Sequence, residues 1–228
     1  MQKFVFNFEL EFHGNLTLCF EIDGGWRKAS KQTRAMTFIG QAFFYSKSKA
    51  GTPCLAGDPD WRRYLSNFQD ILDGFSWDGH RFLNVEMAFH YEKFKRTNKP
   101  EMRKLYIGKP ERQTRLYSNA FPTNAAAKRF SGRKAMTENG VTLNVPMWNL
   151  QRVDVSLTLL KARWKQDPKF RRILMESKSN DIELVHFERG TLTRPPFWGA
   201  FRSRKTGEMI GQNMLGRQMM QLRDNATA

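Results

Sequence analysis

The sequence lacks the short motifs by which the common enzyme classes are identified. Its two cysteines, Cys19 and Cys54, fit no metal-binding pattern, which favours a reducing compartment and offers no zinc site. No Walker loop, GxGxxG, HExxH or CxxC pair is present, which argues against nucleotide-motor, dehydrogenase and zinc-enzyme functions. The four histidines do not cluster in the sequence. We therefore predict no metal and no cofactor.

Long apolar runs are also missing. No stretch approaches the roughly 20 apolar residues that a membrane span needs. Residues 4–12 alternate between apolar and polar instead of forming the apolar block of a signal peptide. We expect no membrane partner and a cytoplasmic location, in the host cytoplasm if the protein is phage-encoded. The 228 residues suffice for one sizeable core, so a single domain with appendages is expected.

Acidic residues are outnumbered, because 22 Asp and Glu stand against 38 Lys and Arg, for a net charge of +16. Residues 93–134 hold thirteen of the basic residues and two acidic ones. Such a surplus predicts attraction to a polyanion, chiefly nucleic acid, although a basic protein without that partner also fits. Aromatic residues interrupt the stretch, which fits a groove that stacks bases or, equally, a solvated loop. The candidate nucleic-acid-binding residues are Lys95, Arg96, Arg103, Lys104, Arg112 and Arg115.

Residues 1–40 are predicted to form a β-hairpin extension. Apolar and polar residues alternate over 4–12 and again over 16–22, with turn residues between them. Residues 26–34 are predicted to be a basic connector exposed to solvent. The apolar, aromatic run before residue 46 predicts a buried strand over 36–45. Ser, Gly and Pro then predict a loop, over 46–60, that either covers a ligand or is a plain surface excursion.

The remainder, residues 41–228, is predicted to be one mostly helical domain with a small sheet, so the fold class is α+β. A basic insert around residues 95–134 interrupts it. Asn84 is a candidate N-cap, and a helix is expected from Val85 onward. Further elements are predicted as helices over 124–136, 144–164 (with Pro146 in the first turn), 169–176 and 214–223, and as a strand over 182–187.

The stretch FLNVEMAFHYEKF at 82–94 carries the candidate chemistry. Glu86, His90 and Lys93 are spaced i, i+4 and i+7, so they share one face of the predicted helix. The helix N-terminus favours an ionised carboxylate at Glu86, and a lysine two turns later reaches the same cleft. On spacing alone, an ordinary helix with a solvated glutamate and lysine is the more frequent explanation.

Five other motifs precede and follow this helix in a fixed order along the sequence. They are YLSNF at 64–68, Gly-Arg at 132–133, Trp148 at the start of the long helix, Trp-Gly at 198–199 and GQNMLGRQMMQLR at 211–223. At these spacings the set resembles the NADAR family of YbiA-like N-glycosidases, over about residues 42–223. The resemblance implies a YbiA-like fold and hydrolysis of an N-glycosidic bond at ribose C1′.

The resemblance also implies a role for each motif. Glu86 and Lys93 become the catalytic residues. A carboxylate stabilises the oxocarbenium-like C1′ that forms as the base departs. Lys93 either supplies positive charge or, with a pKa lowered by burial, attacks C1′ of the ring-opened sugar. The implied substrate-binding residues are Tyr45, Ser66, Asn67, Phe68, His90, Arg133, Trp148, Trp198, Gly199, Asn213 and Gly216.

Two of these motifs have a structural alternative when the residues are considered alone. Asn67 fits a hydrogen bond to a ribose or base edge, and it fits equally well as a turn-stabilising side chain. The start of the last helix, after Gly211, is either a phosphate site built from free backbone N–H groups or a tight turn.

Three interpretations of function follow. NADAR activities include clearing phosphoribosyl intermediates of riboflavin synthesis and removing ADP-ribose from guanine bases. The basic surplus favours ADP-ribosylated nucleic acid, DNA rather than RNA, as in reversal of a toxin or a phage-defence modification. A phosphoribosylated small molecule is the second substrate class. A catalytically inactive relative that binds nucleic acid is the third interpretation.

Four positions depart from the family pattern. Pro195 stands three positions before the Trp-Gly pair, where the family usually has an acidic residue. His186 replaces the glutamate of a Leu-Val-Glu strand, with Glu188 as a candidate substitute. Arg163 and Met87 replace a lysine and a histidine. These departures concern the substrate and part of the acid–base machinery, and Pro195 is the main argument for the inactive form.

Overall fold

The computed structural model describes residues 6–10, 16–22, 25–28, 40–50, 54–110 and 117–226. Contacts divide the chain into two compact units, Met1–Thr37 and Phe38–Ala228. The larger unit holds all the predicted catalytic and substrate-binding residues.

The first unit contains a three-stranded antiparallel sheet. Its strands, in spatial order, are β1 (Phe6–Leu10), β2 (Leu16–Ile22) and β3 (Gly25–Lys28). The predicted hairpin is confirmed, because β1 pairs with β2 in the register Phe6↔Phe20. The predicted connector is wrong at its start, since residues 26–28 lie in β3 and pair with β2. A third strand makes the ribbon more stable than a two-stranded hairpin, which is marginal in water.

The second unit combines helices with short paired strands, and it confirms the α+β class. Its described α-helices are α1 (Trp61–Tyr64), α2 (Val85–Phe94), α3 (Asn124–Phe130), α4 (Arg133–Glu138), α5 (Val145–Gln166), α6 (Pro168–Ser179) and α7 (Met214–Asp224). Its described strands are β4 (Gly40–Phe44), β5 (Phe75–Trp77), β6 (His80–Phe82), β7 (Lys109–Pro110), β8 (Tyr117–Ser118), β9 (Ile182–His186), β10 (Ala200–Arg202) and β11 (Met209–Gly211). A 3-10 helix covers Pro100–Tyr106. Among these elements there is no helix both long and apolar enough to cross a membrane.

Capping side chains start the two helices that matter most for the site. Asn84 accepts a hydrogen bond from the Met87 N–H at 3.0 Å, which confirms it as the N-cap of α2. Asn144 caps α5 in the same way, through the Met147 N–H at 3.2 Å. Pro146 follows in the first turn of α5, where its missing N–H would have no helical partner.

One predicted helix is broken, and a tight Asp-Gly turn closes a short hairpin. The helix predicted over 124–136 is two helices, α3 and α4, because the backbone at Gly132 is extended (φ −72°, ψ 152°). A Cβ at this glycine would lie 2.9 Å from the Arg129 carbonyl oxygen. The Asp78-Gly79 turn joins β5 to β6 with φ values of 49° and 72°, the positive values that a type I′ hairpin turn requires.

The parallel pair of β4 and β9 lies in the first of two apolar cores. Its register runs from Gly40↔Ile182 to Phe44↔His186. The predicted strand over 36–45 is observed as β4, with residues 36–39 outside the described part. Burying one large apolar side chain stabilises the fold by roughly 1.5–3 kcal/mol. The fully buried members contributed by β4, α5, α6, β9 and α7 include Phe44, Leu160, Ile173, Leu184 and Met219.

Helix α2 lies in the second core. Its apolar face packs among β5, β6, the 3-10 helix and α5 and consists of Met87, Ala88, Tyr91 and Phe94. Helix α5 borders both cores, since the adjacent Leu159 and Leu160 belong to different ones. The core face therefore fixes the position of α2 and leaves its opposite face to line a cleft.

Candidate active site

A cleft of about 340 Å³ lies between α2, α5 and the chain that follows β9. This volume is at the lower end of the range for small-molecule sites. The predicted site residues that line it are Ser66, Asn67, Phe68, Glu86, His90, Lys93, Trp148 and Trp198. The other lining residues are Phe89, Lys128, Ser131, Gly132, Arg152, Ser156, His186, Glu188 and Leu215.

The Ser66-Asn67-Phe68 turn fixes the start of α2. The Glu86 N–H donates to the Asn67 carbonyl oxygen at 3.0 Å. The Ser66 hydroxyl accepts from the Phe68 N–H at 3.2 Å and so stabilises the turn itself. The Asn84 amide donates to Oδ1 of Asp70 at 2.6 Å, which ties the N-cap to the same segment. These bonds hold Glu86 at a fixed place in the cleft.

Glu86 is a nearly buried carboxylate that remains ionised. Its side chain is 14% exposed, and its Oε1 lies 3.3 Å from Nε2 of His90. Burial raises the pKa of Glu86, but contact with His90 and the nearby charge of Lys128 outweigh that effect, so the pKa lies below its usual 4.5. A fixed negative charge in a site shielded from water is suited to stabilising a developing positive charge.

Lys93 lies two turns further along α2. Burial lowers the pKa of its amine below the usual 10.5, against the opposing effect of the negative charge on Glu86. Its Nζ donates to the Ser131 carbonyl oxygen at 2.6 Å, a neutral acceptor next to the break at Gly132. A desolvated amine of lowered pKa is the form of lysine that acts as a nucleophile.

The end of β9 contributes a histidine and a carboxylate. Burial lowers the pKa of His186 to about 4, despite a hydrogen bond with the Trp198 backbone and the negative charge of Glu86, so the ring is neutral at pH 7. Glu188, two residues on, accepts a hydrogen bond from the Gly199 N–H at 2.9 Å. In the part of the chain that the structure describes, no group of three or more His, Cys, Asp or Glu side chains is placed to hold a metal ion.

Aromatic rings form one wall of the cleft. The Phe89 ring centroid lies 4.9 Å from that of Trp148 and 5.5 Å from that of Trp198, the second pair edge to face. Phe89 belongs to α2, Trp148 opens α5 and Trp198 follows β9, so these contacts join three parts of the fold. Aromatic faces of this kind stack on nucleobases.

Unpaired polar atoms are concentrated in this cleft. Among the described residues, six buried side-chain nitrogen or oxygen atoms have no hydrogen-bond partner, and five of them belong to cleft residues. The five are Oδ1 of Asn67, Nδ1 and Nε2 of His90, Nε of Arg152 and Nδ1 of His186; Nε2 of His90 makes the 3.3 Å ionic contact with Glu86 but no well-aligned hydrogen bond. Because buried polar groups normally have partners, this concentration indicates a site for a polar ligand. The unpaired Oδ1 favours the ligand-binding interpretation of Asn67 over turn stabilisation.

Two predicted substrate-binding residues and the predicted loop lie elsewhere. Tyr45 packs its ring 5.2 Å from that of Phe187, and Arg133 is exposed on α4. In the described part of the loop at 46–60, Leu55 is buried in the first core. None of the loop's described residues, 46–50 and 54–60, lines the cleft.

Three more predicted binding residues hold α7 against β9. Asn213 donates to the Leu184 carbonyl oxygen and accepts from the His186 N–H, both at 2.9 Å. A Cβ on Gly216 would lie 2.3 Å from the same Leu184 oxygen, and one on Gly199 would lie 2.5 Å from the His186 carbonyl oxygen. None of the three predicted residues lines the cleft, and their role is to support the residues that do.

Of the two alternatives for the start of α7, the structure favours the tight turn over the phosphate site. The Met214 and Leu215 N–H groups donate to the carbonyl oxygens of Phe197 and Trp198, at 3.2 and 3.0 Å. The donors that would bind a phosphate are therefore occupied. The alternative, a tight turn, is observed, because Gly211 has a φ of 124° that only glycine adopts readily.

Sequence reasoning missed Arg152, Ser156 and Lys128. The first two follow Trp148 on α5 at i+4 and i+8, so the helical period that places Glu86 and His90 on one face of α2 also places them on one face of α5. Lys128 carries no such signal. Its place in the cleft depends on how α3 packs, which its local sequence does not show.

The predicted nucleic-acid-binding residues divide into paired and exposed side chains. Lys95 and Arg96 contact the buried carboxylate of Glu92, at 2.7 and 3.1 Å. Arg103 lies over an aromatic ring, and Lys104 is exposed. Arg112 and Arg115 lie outside the described residues. A nucleic-acid partner remains a prediction, and Lys104 is the freest of the described candidates.

The positions that depart from the family pattern have distinct surroundings. Pro195 is exposed and does not line the cleft, whereas the Glu188 carboxylate does. Arg163 is fully buried and contacts Oδ2 of Asp167 at 3.1 Å. Met87 is buried in the second core. Met87 therefore acts in packing, and Arg163 in a buried network of hydrogen bonds.

The architecture is similar to that of the E. coli protein YbiA, whose structure was solved by NMR. The two chains superpose with a TM-score of 0.52 over 85% of this chain and 88% of that one, at 19% sequence identity. The chain has a YbiA-like fold. No protein-family model and no curated protein matches the sequence. At this level of identity the likeness concerns the fold alone, so function has to be argued from the cleft.

Proposed function

We propose that the protein is an N-glycosidase that hydrolyses the bond between a ribose C1′ and a base nitrogen, with ADP-ribosylated guanine in DNA as its substrate. The observation that carries the proposal is the cleft, where the ionised Glu86 and the low-pKa amine of Lys93 lie among aromatic rings and unpaired polar atoms. The resemblance of the sequence motifs to the NADAR family agrees with this chemistry.

In the direct route, the C1′–N bond breaks with its electron pair going to the base nitrogen. The positive charge that develops at C1′ is stabilised by the Glu86 carboxylate. The base nitrogen takes up a proton, for which His90 and Lys93 are the donors in reach of the cleft. Water then adds to C1′ and loses a proton. The products are the unmodified guanine, still in its DNA strand, and ADP-ribose with a hydroxyl at C1′.

In the covalent route, the sugar ring opens first. The C1′–O4′ bond breaks, O4′ takes up a proton, and an imine forms between C1′ and the base nitrogen. The neutral Lys93 amine adds to C1′, the base leaves with a proton, and a Schiff base remains. Water hydrolyses the Schiff base and returns the free amine and the same products.

DNA is the preferred substrate because of charge. The chain carries a net charge of +16, and a protein that only cleared a small phosphoribosylated metabolite would need no such surplus beyond its cleft. The cleft volume of about 340 Å³ favours a second candidate, a phosphoribosylated small molecule. Such a molecule would fit wholly inside the cleft, whereas most of a DNA substrate would lie outside it. Activity on that candidate would be nearly indifferent to salt.

The inactive, nucleic-acid-binding interpretation depends on the missing acid at Pro195. That position is exposed, and the cleft retains two carboxylates, Glu86 and Glu188. We therefore favour an active enzyme.

The test is incubation of the protein with a DNA oligonucleotide that carries ADP-ribose on guanine, at low and moderate salt, followed by mass spectrometry. We expect loss of the ADP-ribose mass. Glu86→Gln and Lys93→Ala should each lower the rate by at least ~10²-fold, because each removes a group placed at the reacting bond. The matched controls Glu138→Gln and Lys161→Ala change exposed residues outside the cleft and should leave the rate unchanged.

An unchanged oligonucleotide would exclude the DNA substrate, and the same variants would then be tested on phosphoribosylated aminopyrimidines. If those also remained intact, the glycosidase proposal would fail and the nucleic-acid-binding relative would replace it.

A further inference from the structure

Arg152 is a cleft residue that the proposed chemistry does not use. It lies one turn after Trp148 and one turn before Ser156 on α5, and all three line the cleft. Ser156 is fixed by its hydroxyl, which lies 2.7 Å from Oε1 of Gln218 on α7. The cleft face of α5 therefore presents, in order, an aromatic ring, a guanidinium and an anchored hydroxyl.

The guanidinium of Arg152 is held by packing and leaves its donors free. Its central carbon lies 4.1 Å from the ring centroid of Phe197, close enough for a cation–π contact. Its Nε is buried without a hydrogen-bond partner, and no carboxylate of the described residues lies within 4 Å of it. By contrast, the buried Arg163 and Arg223 both bond to protein oxygens.

A stacked guanidinium with unused donors in a ligand cleft is suited to an anion. Guanidinium groups bind phosphate through two parallel N–H donors, and stacking on a ring orients the group in advance. A second cation, Lys128, lines the same cleft with its Nζ 5.2 Å from the Phe68 ring centroid. Its side chain makes no ion pair with a described carboxylate, so it adds to the attraction for a doubly charged group.

We propose that Arg152 binds a phosphate of the substrate, so that the cleft selects ribosyl compounds that carry a phosphate or a diphosphate over unphosphorylated nucleosides. This inference rests on the proposed function, whose ribosyl ligand it takes as given. It assigns phosphate binding to α5, in place of the start of α7, where the backbone donors are occupied.

The test is isothermal titration calorimetry, in which the whole protein is titrated separately with ADP-ribose, ribose 5-phosphate and ribose. We expect both phosphorylated ligands to bind more tightly than ribose. Arg152→Met keeps an apolar stem against Phe197 and removes the charge, and it should weaken the phosphorylated ligands by ~10–100-fold without changing ribose. Arg152→Lys keeps the charge without the two-pronged geometry and should restore part of the binding. Arg217→Met, at an exposed position on α7, is the charge-matched control and should bind as the wild type does.

Several results would overturn the assignment. They are equal loss for ribose and ribose 5-phosphate, unchanged binding in Arg152→Met, and absence of binding by both phosphorylated ligands to the wild type. Melting curves and circular dichroism of each variant separate a folding defect from a binding defect. If the phosphorylated ligands bind through Arg152 while no glycoside is hydrolysed, the proposed function fails and the phosphate site stands.

Discussion

At the scale of single residues, burial has opposite consequences for the two charged groups of α2. Glu86 keeps its charge because His90 and Lys128 compensate for the loss of water. The Lys93 amine meets a carbonyl oxygen at Ser131, so burial prevails and its pKa falls. The same helix face thus carries one group whose charge is stabilised and one whose charged form is made less favourable by burial. This is the combination that an attack by an amine beside a fixed carboxylate needs.

Trapping with borohydride tests the covalent role of Lys93. Borohydride reduces a Schiff base to a stable amine, so the protein should gain the mass of the bound sugar at Lys93 during turnover. The neutral amine increases as pH rises toward its lowered pKa, while Glu86 is ionised throughout, so the trapped fraction should rise from neutral to alkaline pH. Lys93→Arg should trap nothing, and Lys161→Ala should trap as the wild type does. Turnover without any adduct would leave Lys93 with the charge-supplying role alone.

At the scale of secondary-structure elements, features fixed within one helical turn were predictable from the sequence, whereas features that depend on tertiary packing were not. Asn84 and Pro146 are visible in the sequence because capping acts within one helical turn. The separate helix that begins at Arg133, after Gly132, was not predicted, because the change of direction depends on packing around the Arg129 carbonyl and not on composition. The strands over 36–45 and 182–187 were both predicted, but their parallel pairing was not, since the period of a strand carries no information about its neighbour.

The N-cap of α2 should contribute more to stability than that of α5. Asn84 is fully buried and also bonds to Asp70 and Asn124, whereas Asn144 is exposed. Asn84→Ala should cost about 2–4 kcal/mol of unfolding free energy, the loss of a cap plus unpaired buried partners. Asn144→Ala should cost about 1 kcal/mol. Urea unfolding measures both, and equal losses would contradict the special position of Asn84.

At the scale of the whole molecule, the residues of one cleft wall were predictable from the sequence, whereas the packing of the elements around the cleft was not. The stripe of Glu86, His90 and Lys93 follows from helical spacing, and the structure places all three in the cleft. Arg152 was predictable by the same spacing from Trp148. The role of Gly216 was not, because a glycine that packs against a carbonyl and one that contacts a ligand look the same in a single sequence.

The positive charge of the molecule predicts that exposed lysines contribute to the salt dependence of activity and that lysines in ion pairs do not. If DNA is the substrate, kcat/KM should fall steeply with salt, and Lys104→Ala should reduce the slope of log(kcat/KM) against log[salt] by about 1. Lys95 is already paired with Glu92 and Asp78, so Lys95→Ala should leave that slope nearly unchanged. Activity independent of salt in the wild type would instead indicate the phosphoribosylated small molecule.

The parallel pairing of β4 with β9 also has a consequence for how the protein reaches this state. Gln41 and Glu183 hydrogen-bond across the pair although they are 142 positions apart along the chain. Closing so long a loop is entropically costly, and contacts of this kind form slowly. On a ribosome, Glu86 and Lys93 are made well before His186, Trp198 and Leu215, with which they share the cleft. During synthesis Lys93 therefore keeps a solvated amine of ordinary pKa until the later residues complete the cleft, because the lowered pKa depends on burial.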